Sequence, residues 1–242
     1  MVYPTLFGFL KGVVNFRSRE RSQEIAKTQQ ADHVYVRGNI VNRGPCPGLN
    51  ALANQGYLPR DGKDISVAQV ETALMAGLHM SSTLASTLAH ALRPICRADG
   101  TFDLYDMRKH NVVEHDRSFT RLDFRQGDNY TFQPAMFQAL LDDAEGGPIT
   151  IQTLAKTYVR RKKECKRSGT PSLSLNLWGV NLIQTVSFYH TAAMDPLTKE
   201  TMTTFYVEER FPDAILQNPK KRTLFGLIWD TAVLLTHIVF KT

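Results

Sequence analysis

The sequence predicts an all-α protein that folds as a single domain. Several long segments repeat apolar residues at helical spacing, and few runs alternate with the period of two that is typical of strands. The length of 242 residues suits one domain, and an apolar content of 43% is enough for a sizeable core. We expect residues 37–222 to form this domain, with an apolar and basic extension at 1–36 and an apolar helix at 223–242.

The first expected element is a short helix that begins directly after Cys46. Pro47 suits the first helical position, where the missing N–H costs nothing, and Gly56 can close the helix. The Cys46 sulfur then lies at a helix N-terminus, with the backbone N–H groups of Gly48 and Leu49 pointing at it. This setting favours the thiolate, which can ligate a metal or attack an electrophile.

Longer helices follow. The apolar positions between residues 66 and 92 recur at helical spacing, with Ser66 as N-cap and Pro94 ending the helix. The same reasoning predicts helices at 133–144, from Thr150 to the basic cluster Arg160–Arg167, and at 177–194.

The final segment, Leu224–Phe240, is apolar nearly all round and must be covered by protein or lipid. It is short for a spanning helix, which needs about 20 residues, and Asp230 near its middle argues against spanning. Three interpretations stay open. It packs on the core, it lies on a membrane surface together with the apolar segment Leu6–Phe16, or it forms an interface such as that of a homodimer.

The formal net charge is +6, and much of it comes from the clusters Arg17–Arg21 and Arg160–Arg167. Basic residues near a helix C-terminus are electrostatically favourable, so a solvated helix face explains the second cluster. No nucleic-acid-binding motif accompanies it, and we expect no nucleic-acid partner. The N-terminus lacks a basic n-region and a cleavage site, so no cleavable signal peptide is recognised and an intracellular location is expected.

Three motifs occur in order along the chain. The first is Pro45-Cys46-Pro47, followed by Asn50, Leu52, Ala53, Asn54, Gly56 and Tyr57-Leu58-Pro59. The second is Glu114-His115-Asp116-Arg117-Ser118, followed by Arg121 and Asp123, and the third is Phe205–Pro212. With these motifs the chain resembles the fungal heme-thiolate peroxidases, the family of chloroperoxidase and the short unspecific peroxygenases. One departure is Gln55, which stands where the family usually has His.

The resemblance implies a chloroperoxidase-like helical fold around heme b. Cys46 would be the axial ligand of the iron, flanked by Pro45 and Pro47 and hydrogen-bonded by the backbone of Gly48 and Leu49. The resemblance also implies a magnesium or manganese ion near a heme propionate. Its ligands would be Glu114, the backbone carbonyl of His115 and Ser118. Since Glu114 and Ser118 are about one helical turn apart, we expect them on one helix face.

A second departure concerns acid–base catalysis. Splitting hydrogen peroxide needs a proton carrier, and the family uses a distal glutamate. Alignment places that glutamate close to Ser187, yet residues 171–194 contain no Asp or Glu. His115 could serve as the base alone or with Ser187, Gln184 or His190, because a neutral imidazole is adequate near neutral pH.

The expected function is therefore that of an oxidoreductase, a peroxidase or peroxygenase that oxidises a small organic substrate with hydrogen peroxide. A secondary metabolite is the expected class of substrate. The alternative is a heme-dependent isomerase, dehydratase or cyclase without a peroxide cycle, since the distal glutamate is absent. A heme-binding or sensing protein is a third interpretation.

Overall fold

A computed structural model describes residues 18–29, 31–193 and 197–240, and helices dominate these residues. The helices are α1 Ser18–Gln29, α2 Pro47–Asn54, α3 Val67–Leu78, α4 Ser82–His90, α5 Pro134–Asp142, α6 Ile151–Arg167, α7 Leu175–Ala192, α8 Lys199–Tyr206, α9 Asp213–Leu216 and α10 Leu224–Phe240. Strands β1 (Ile65–Ser66) and β2 (Thr101–Phe102) pair antiparallel, with Ile65 opposite Phe102. The all-α prediction is confirmed, and the extension Leu6–Phe16 lies outside the described residues.

Helix α2 lies at the centre of the domain. It begins at Pro47 as predicted, and every residue from Leu49 to Asn54 is buried. Gly56 follows at φ 72°, and the backbone N–H of Tyr57 donates to the carbonyl of Leu52 across the helix end at 2.8 Å. A glycine in the left-handed region is a common helix terminator, and it closes α2 here.

The predicted helix at 66–92 is wrong in one respect, since it is two helices. Ser66 caps α3 with a reciprocal hydrogen bond to Gln69, as a capping box. The helix stops at His79, which has φ 50°, and the backbone of residues 79–81 pairs with Arg222. The apolar period continues through the break because α4 packs against α3. The backbone pairing with Arg222 that interrupts the helix joins residues far apart in the chain, so the local sequence does not reveal it.

Helices α6, α7 and α10 pack against one another. Helix α10 has the predicted bounds, and Leu227 and Leu234 on its inner face are buried. His190 near the end of α7 contacts Asp230 of α10, so α10 runs back along α7 from that point. None of the described helices combines the length and apolar character needed to cross a bilayer.

Buried Arg222 joins the ends of several helices. Its guanidinium donates to four backbone carbonyls, at the end of α7, at α9 and in the turn before α10, namely Thr191, Ile215, Asn218 and Lys220, at 2.7–3.0 Å. Only 1% of Arg222 is exposed. The bonds to Thr191 and Ile215 are buried and those to Asn218 and Lys220 are partly buried, so the side chain satisfies acceptors at helix ends that are shielded from water.

Replacing Arg222 with methionine keeps the apolar stem and removes these donors. We expect Arg222→Met to lower the free energy of unfolding by about 2–5 kcal/mol, since each buried acceptor left unsatisfied costs about 1–3 kcal/mol. Urea unfolding followed by circular dichroism measures the change. The matched control is Lys221→Met, at an exposed neighbour. Equal stability of the two variants would contradict this role for Arg222.

Candidate heme-binding site

The Cys46 thiol lies at the N-cap of α2, as the sequence predicts. The backbone N–H groups of Gly48 and Leu49 lie near its sulfur and favour the charged form, although the sulfur accepts no capping hydrogen bond from them. Burial nevertheless raises the pKa of Cys46, outweighing the effect of these two N–H groups and of the nearby guanidinium of Arg121. The expected bias toward a free thiolate is therefore wrong, because the cost of desolvating the charge exceeds the effect of the helix N-terminus.

The raised pKa of Cys46 distinguishes between its two possible roles, a metal ligand and a nucleophile, which the sequence left open. A free nucleophile needs an appreciable thiolate fraction at neutral pH, which the burial of Cys46 opposes. A bound metal cation deprotonates a coordinating thiol outright, even where the free thiol would stay protonated. The environment of Cys46 therefore favours a metal ligand over a nucleophile.

Aromatic rings pack around the start of α2. A Cβ built on Gly48 would lie 3.8 Å from the Cys46 sulfur, 3.8 Å from the ring of Phe211 and 4.0 Å from that of Phe205. The Phe205 ring stacks on Phe188 of α7, with centroids 3.6 Å apart. Burial raises the pKa of the adjacent Tyr206 to about 12, so its hydroxyl stays neutral. These rings link the sulfur segment to α7 through apolar contacts.

A buried ion pair supports the first turn of α2. Arg121 donates to Glu209 Oε1 at 3.1 Å, and both side chains are at most 9% exposed. The same oxygen accepts from Asn50 Nδ2 at 2.7 Å. Asn50 also bonds the backbone of Gly44 in both directions, which holds the chain leading into Cys46. Glu209 thereby joins all three sequence motifs at one carboxylate.

Gln55, the departure from the family pattern, has a structural role. Its amide oxygen accepts from the backbone N–H of Phe211 at 2.8 Å, and its amide nitrogen donates to the Phe211 carbonyl at 3.0 Å. A glutamine can satisfy the donor and the acceptor of one residue at the same time. Gln55 therefore fastens the end of α2 to the third motif.

His115 is buried, and the pKa of its imidazole is lowered because burial disfavours the charged ring. Its Nδ1 lies 2.7 Å from the backbone carbonyl of Asp116, so Nδ1 carries the hydrogen in the neutral ring. The Nε2 atom is buried and has no hydrogen-bond partner. The side chain of Gln184 lies close enough to influence the ring. His115 is thus a neutral base with its lone pair on an unengaged nitrogen.

The structure brings Gln184 to His115, while the other two candidate partners bond elsewhere. The Ser187 hydroxyl donates to the backbone carbonyl of Gln184 at 2.9 Å, within α7. His190 Nδ1 lies 2.8 Å from Asp230 Oδ2 of α10. Of the three side chains proposed to assist His115, Gln184 is the one that lies close enough to influence the pKa of the ring.

The second motif holds a cluster of potential cation ligands. Glu114 Oε2 lies 2.9 Å from His110 Nδ1, and Asp116 Oδ2 lies 3.8 Å from His110 Nε2. Ligand atoms of these three residues fall within 4.8 Å of one another. Burial raises the pKa of Glu114, which a bound cation would reverse. Sequence analysis missed His110, although its spacing of four residues before Glu114 was visible.

The helical geometry expected for Glu114 and Ser118 is wrong. Residues 111–120 form turns, and Arg117 has φ 74°, so one helix face does not carry both side chains. The Ser118 carbonyl accepts from Arg161 Nε at 2.9 Å. Asp123 draws the loop inward by accepting from the Arg117 backbone at 2.8 Å and from Arg161 at 3.0 Å. Ligation by Glu114, Ser118 and the His115 carbonyl stays a prediction.

The chemistry of the residues around Cys46 fits a heme. The backbone N–H groups of Gly48 and Leu49 and the guanidinium of buried Arg121 would stabilise a thiolate that ligates the iron. The rings of Phe205 and Phe211 near Gly48, with Phe188 stacked on Phe205, would supply apolar contacts to the macrocycle. Orphaned Nε2 of His115 supplies a polar atom with no other use in the fold.

Comparisons with known proteins identify the family of the chain. The family described as "Peroxidase, family 2" matches residues 33–223. The chain is 32% identical to a chloroperoxidase from Leptoxyphium fumago over 45% of this chain and 33% of that protein. It is 27% identical to an aromatic peroxygenase from Coprinellus radians over 73% of this chain and 78% of that protein.

A dothistromin biosynthesis peroxidase from Dothistroma septosporum is also similar, with 33% identity over 49% of this chain and 34% of that protein. The matched part of the chain therefore spans about a third of the length of two of these three relatives.

The buried ion pair can be tested by removing its negative charge. We expect Glu209→Gln to lower the free energy of unfolding by about 3 kcal/mol, because Arg121 would stay buried without a counter-charge. The control is Glu208→Gln, whose side chain is 42% exposed and pairs with half-exposed Arg210. Thermal unfolding of both variants gives the measurement. A stability loss of the same size in both would contradict the role assigned to Glu209.

Proposed function

The chain belongs to peroxidase family 2, and we propose that it is a heme-thiolate peroxidase or peroxygenase that oxidises a small organic substrate with hydrogen peroxide. The observation that carries the proposal is the Cys46 sulfur at the start of a buried helix, where the backbone N–H groups of Gly48 and Leu49 favour its charged form. The predominantly helical architecture is consistent with a chloroperoxidase-like fold.

Cys46 is the proposed axial ligand of heme b. When bound, a thiolate-ligated heme iron favours cleavage of the peroxide O–O bond. The N–H groups of Gly48 and Leu49 moderate the electron donation of the sulfur, and Arg121 adds a positive charge nearby. Pro45 and Pro47 flank the cysteine, and Pro47 fixes the start of the helix that supplies both donors. The chain therefore presents one sulfur in a rigid orientation.

His115 is the proposed proton carrier. Its free Nε2 can take a proton from peroxide and return it, and the Asp116 carbonyl fixes the tautomer that leaves Nε2 unprotonated. Burial lowers the pKa of His115, so the ring should stay neutral at pH values somewhat below its ordinary pKa of about 6.5. Gln184 is placed to orient the ring, as a positioning residue. This pair replaces the glutamate that the family uses.

A divalent cation beside the second motif completes the proposal. Glu114 with the His115 carbonyl and Ser118 offers oxygen ligands, which suit magnesium or manganese. The carboxylates of Glu114 and Asp116 lie close together beside His110, and two neighbouring negative charges favour the binding of a cation. A histidine ligand would favour manganese over magnesium, because imidazole is a softer donor than a carboxylate.

The missing glutamate keeps a second function in view, a heme-dependent isomerase, dehydratase or cyclase without a peroxide cycle. The observation that favours it is the hydrogen bond of Ser187, at the position aligned with the glutamate, to its own helix backbone. A substrate converted by the ferric protein without added oxidant would establish this function. Peroxide-dependent conversion supports the leading proposal.

The relative named for dothistromin biosynthesis supports a secondary metabolite as substrate.

Removing the sulfur tests the proposed ligand. We expect Cys46→Ser to lose the thiolate-type absorption band of the reduced carbon monoxide complex, because a serine hydroxyl does not replace a thiolate. The matched control is Cys96→Ser, a half-buried cysteine whose sulfur contacts the Leu92 carbonyl. The measurement is an absorption spectrum of the heme-loaded proteins. A band that survives in Cys46→Ser and vanishes in Cys96→Ser would overturn the assignment.

Changing the proton carrier tests the mechanism. We expect His115→Ala to lower peroxide-dependent turnover by about 10²–10⁴-fold with heme still bound, since a general acid–base group contributes that much. Gln184→Glu places a carboxylate beside His115 and should raise turnover above wild type. Ser187→Glu places the carboxylate instead at the position where alignment puts the glutamate of the family. Gln138→Glu, at an exposed position of α5, is the control for an added negative charge. Unchanged turnover in His115→Ala would exclude His115 as the base.

A further inference from the structure

The outer face of α10 is an apolar surface that the domain does not cover. Its exposed residues lie on one side of the helix, with 56–81% of each residue accessible, and we call them the α10 stripe: Phe225, Ile228, Trp229, Val239 and Phe240. Ala232 and Thr236 continue the same face. The opposite face already packs on the core through Leu227 and Leu234, so the stripe is not needed to hold α10 in place.

Exposed cations lie directly before α10 and on a helix that packs against it. Lys220 and Lys221 are exposed directly before α10, within one turn of Phe225. Helix α6, which packs against α10, ends in a run of exposed cations: Lys162, Lys163, Lys166 and Arg167. An apolar strip beside basic residues has the composition of helices that lie in the interface of an anionic membrane.

The exposed stripe itself carries no carboxylate. Helices α6, α7 and α10 contain two carboxylates, Glu164 and Asp230. Glu164 pairs with Arg160 at 2.8 Å and with Arg161 at 2.7 Å, and Asp230 contacts His190 of α7. Neither carboxylate is among the exposed residues of the outer face of α10.

One of the two tryptophans of the chain, Trp229, lies in the stripe. Tryptophan concentrates at membrane interfaces because its ring is apolar and its N–H is polar. A second copy of the chain carries the same net charge of +6 and so lacks the charge complementarity that an anionic bilayer offers.

From these contacts we propose that the α10 stripe docks on the surface of an anionic lipid bilayer. The aromatic and aliphatic side chains would enter the headgroup boundary with α10 parallel to the plane. Lys220, Lys221 and the end of α6 would contact the lipid phosphates. Docking would hold the domain, with its Cys46 site, at a surface where apolar organic substrates are concentrated.

The test is co-sedimentation of the purified full-length chain with vesicles. We expect binding to vesicles that contain phosphatidylserine, and much weaker binding to phosphatidylcholine alone or at about 0.5 M salt, where charges are screened within a few ångströms. Phe225→Gln/Trp229→Gln should weaken binding at least about tenfold, because two aromatic side chains no longer leave water. Lys220→Gln/Lys221→Gln should weaken it roughly fivefold for each lysine removed.

The matched control is Val34→Gln/Val41→Gln, which removes two apolar side chains that are each 63% exposed outside α10. This variant should bind like wild type. In Trp178→Phe the remaining fluorescence comes from Trp229, and vesicles should shift its emission to the blue. Circular dichroism confirms that each variant is folded.

Three outcomes would overturn the proposal. One is a wild-type chain that stays in the supernatant with anionic vesicles. Another is vesicle binding that Phe225→Gln/Trp229→Gln leaves unchanged, which would assign the contact to a different segment. The third is a wild-type dimer in analytical ultracentrifugation that this variant converts to a monomer while vesicles bind neither, which would make the stripe an interface between two copies.

Discussion

The side-chain amides of α2 and of Gln55 at its end hold the site together, because they form hydrogen bonds with backbone and charged groups that are shielded from water. Asn50 binds Glu209 and Gly44, Asn54 binds Arg43 and the Glu209 carbonyl, and Gln55 binds Phe211. A buried helix can carry polar side chains only when each is satisfied. This requirement fixes where the third motif lies relative to Cys46, and with it the position of the aromatic rings.

Burial controls the chemistry at both candidate functional groups, in ways that sequence position does not reveal. Desolvation raises the pKa of the Cys46 thiol and lowers that of the His115 imidazole, so both groups favour their neutral forms. A buried neutral thiol becomes a thiolate when a metal cation binds it, whereas a neutral imidazole can accept a proton directly. One physical effect thus sets the protonation state of both candidate groups.

One face of the C-terminal helix α10 packs on the domain, and the opposite face is exposed. Arg222 ties the turn before α10 to α7 and α9, and the contact between His190 and Asp230 fastens the first part of the helix. These contacts leave the apolar outer face without protein cover. An apolar helix in a basic setting is therefore held rigidly at the surface, which suits a docking element better than a loosely attached tail does.

The sequence by itself determined the helical class, the start of α2 at Pro47, the bounds of α10 and the family, because these depend on local spacing and on motifs contiguous in the chain. Only the tertiary structure decided the break at His79, the turns around Ser118, the choice of Gln184 as neighbour of His115 and the raised pKa of Cys46. Each of these depends on residues distant in sequence or on exclusion of water, and local periodicity carries no information about either.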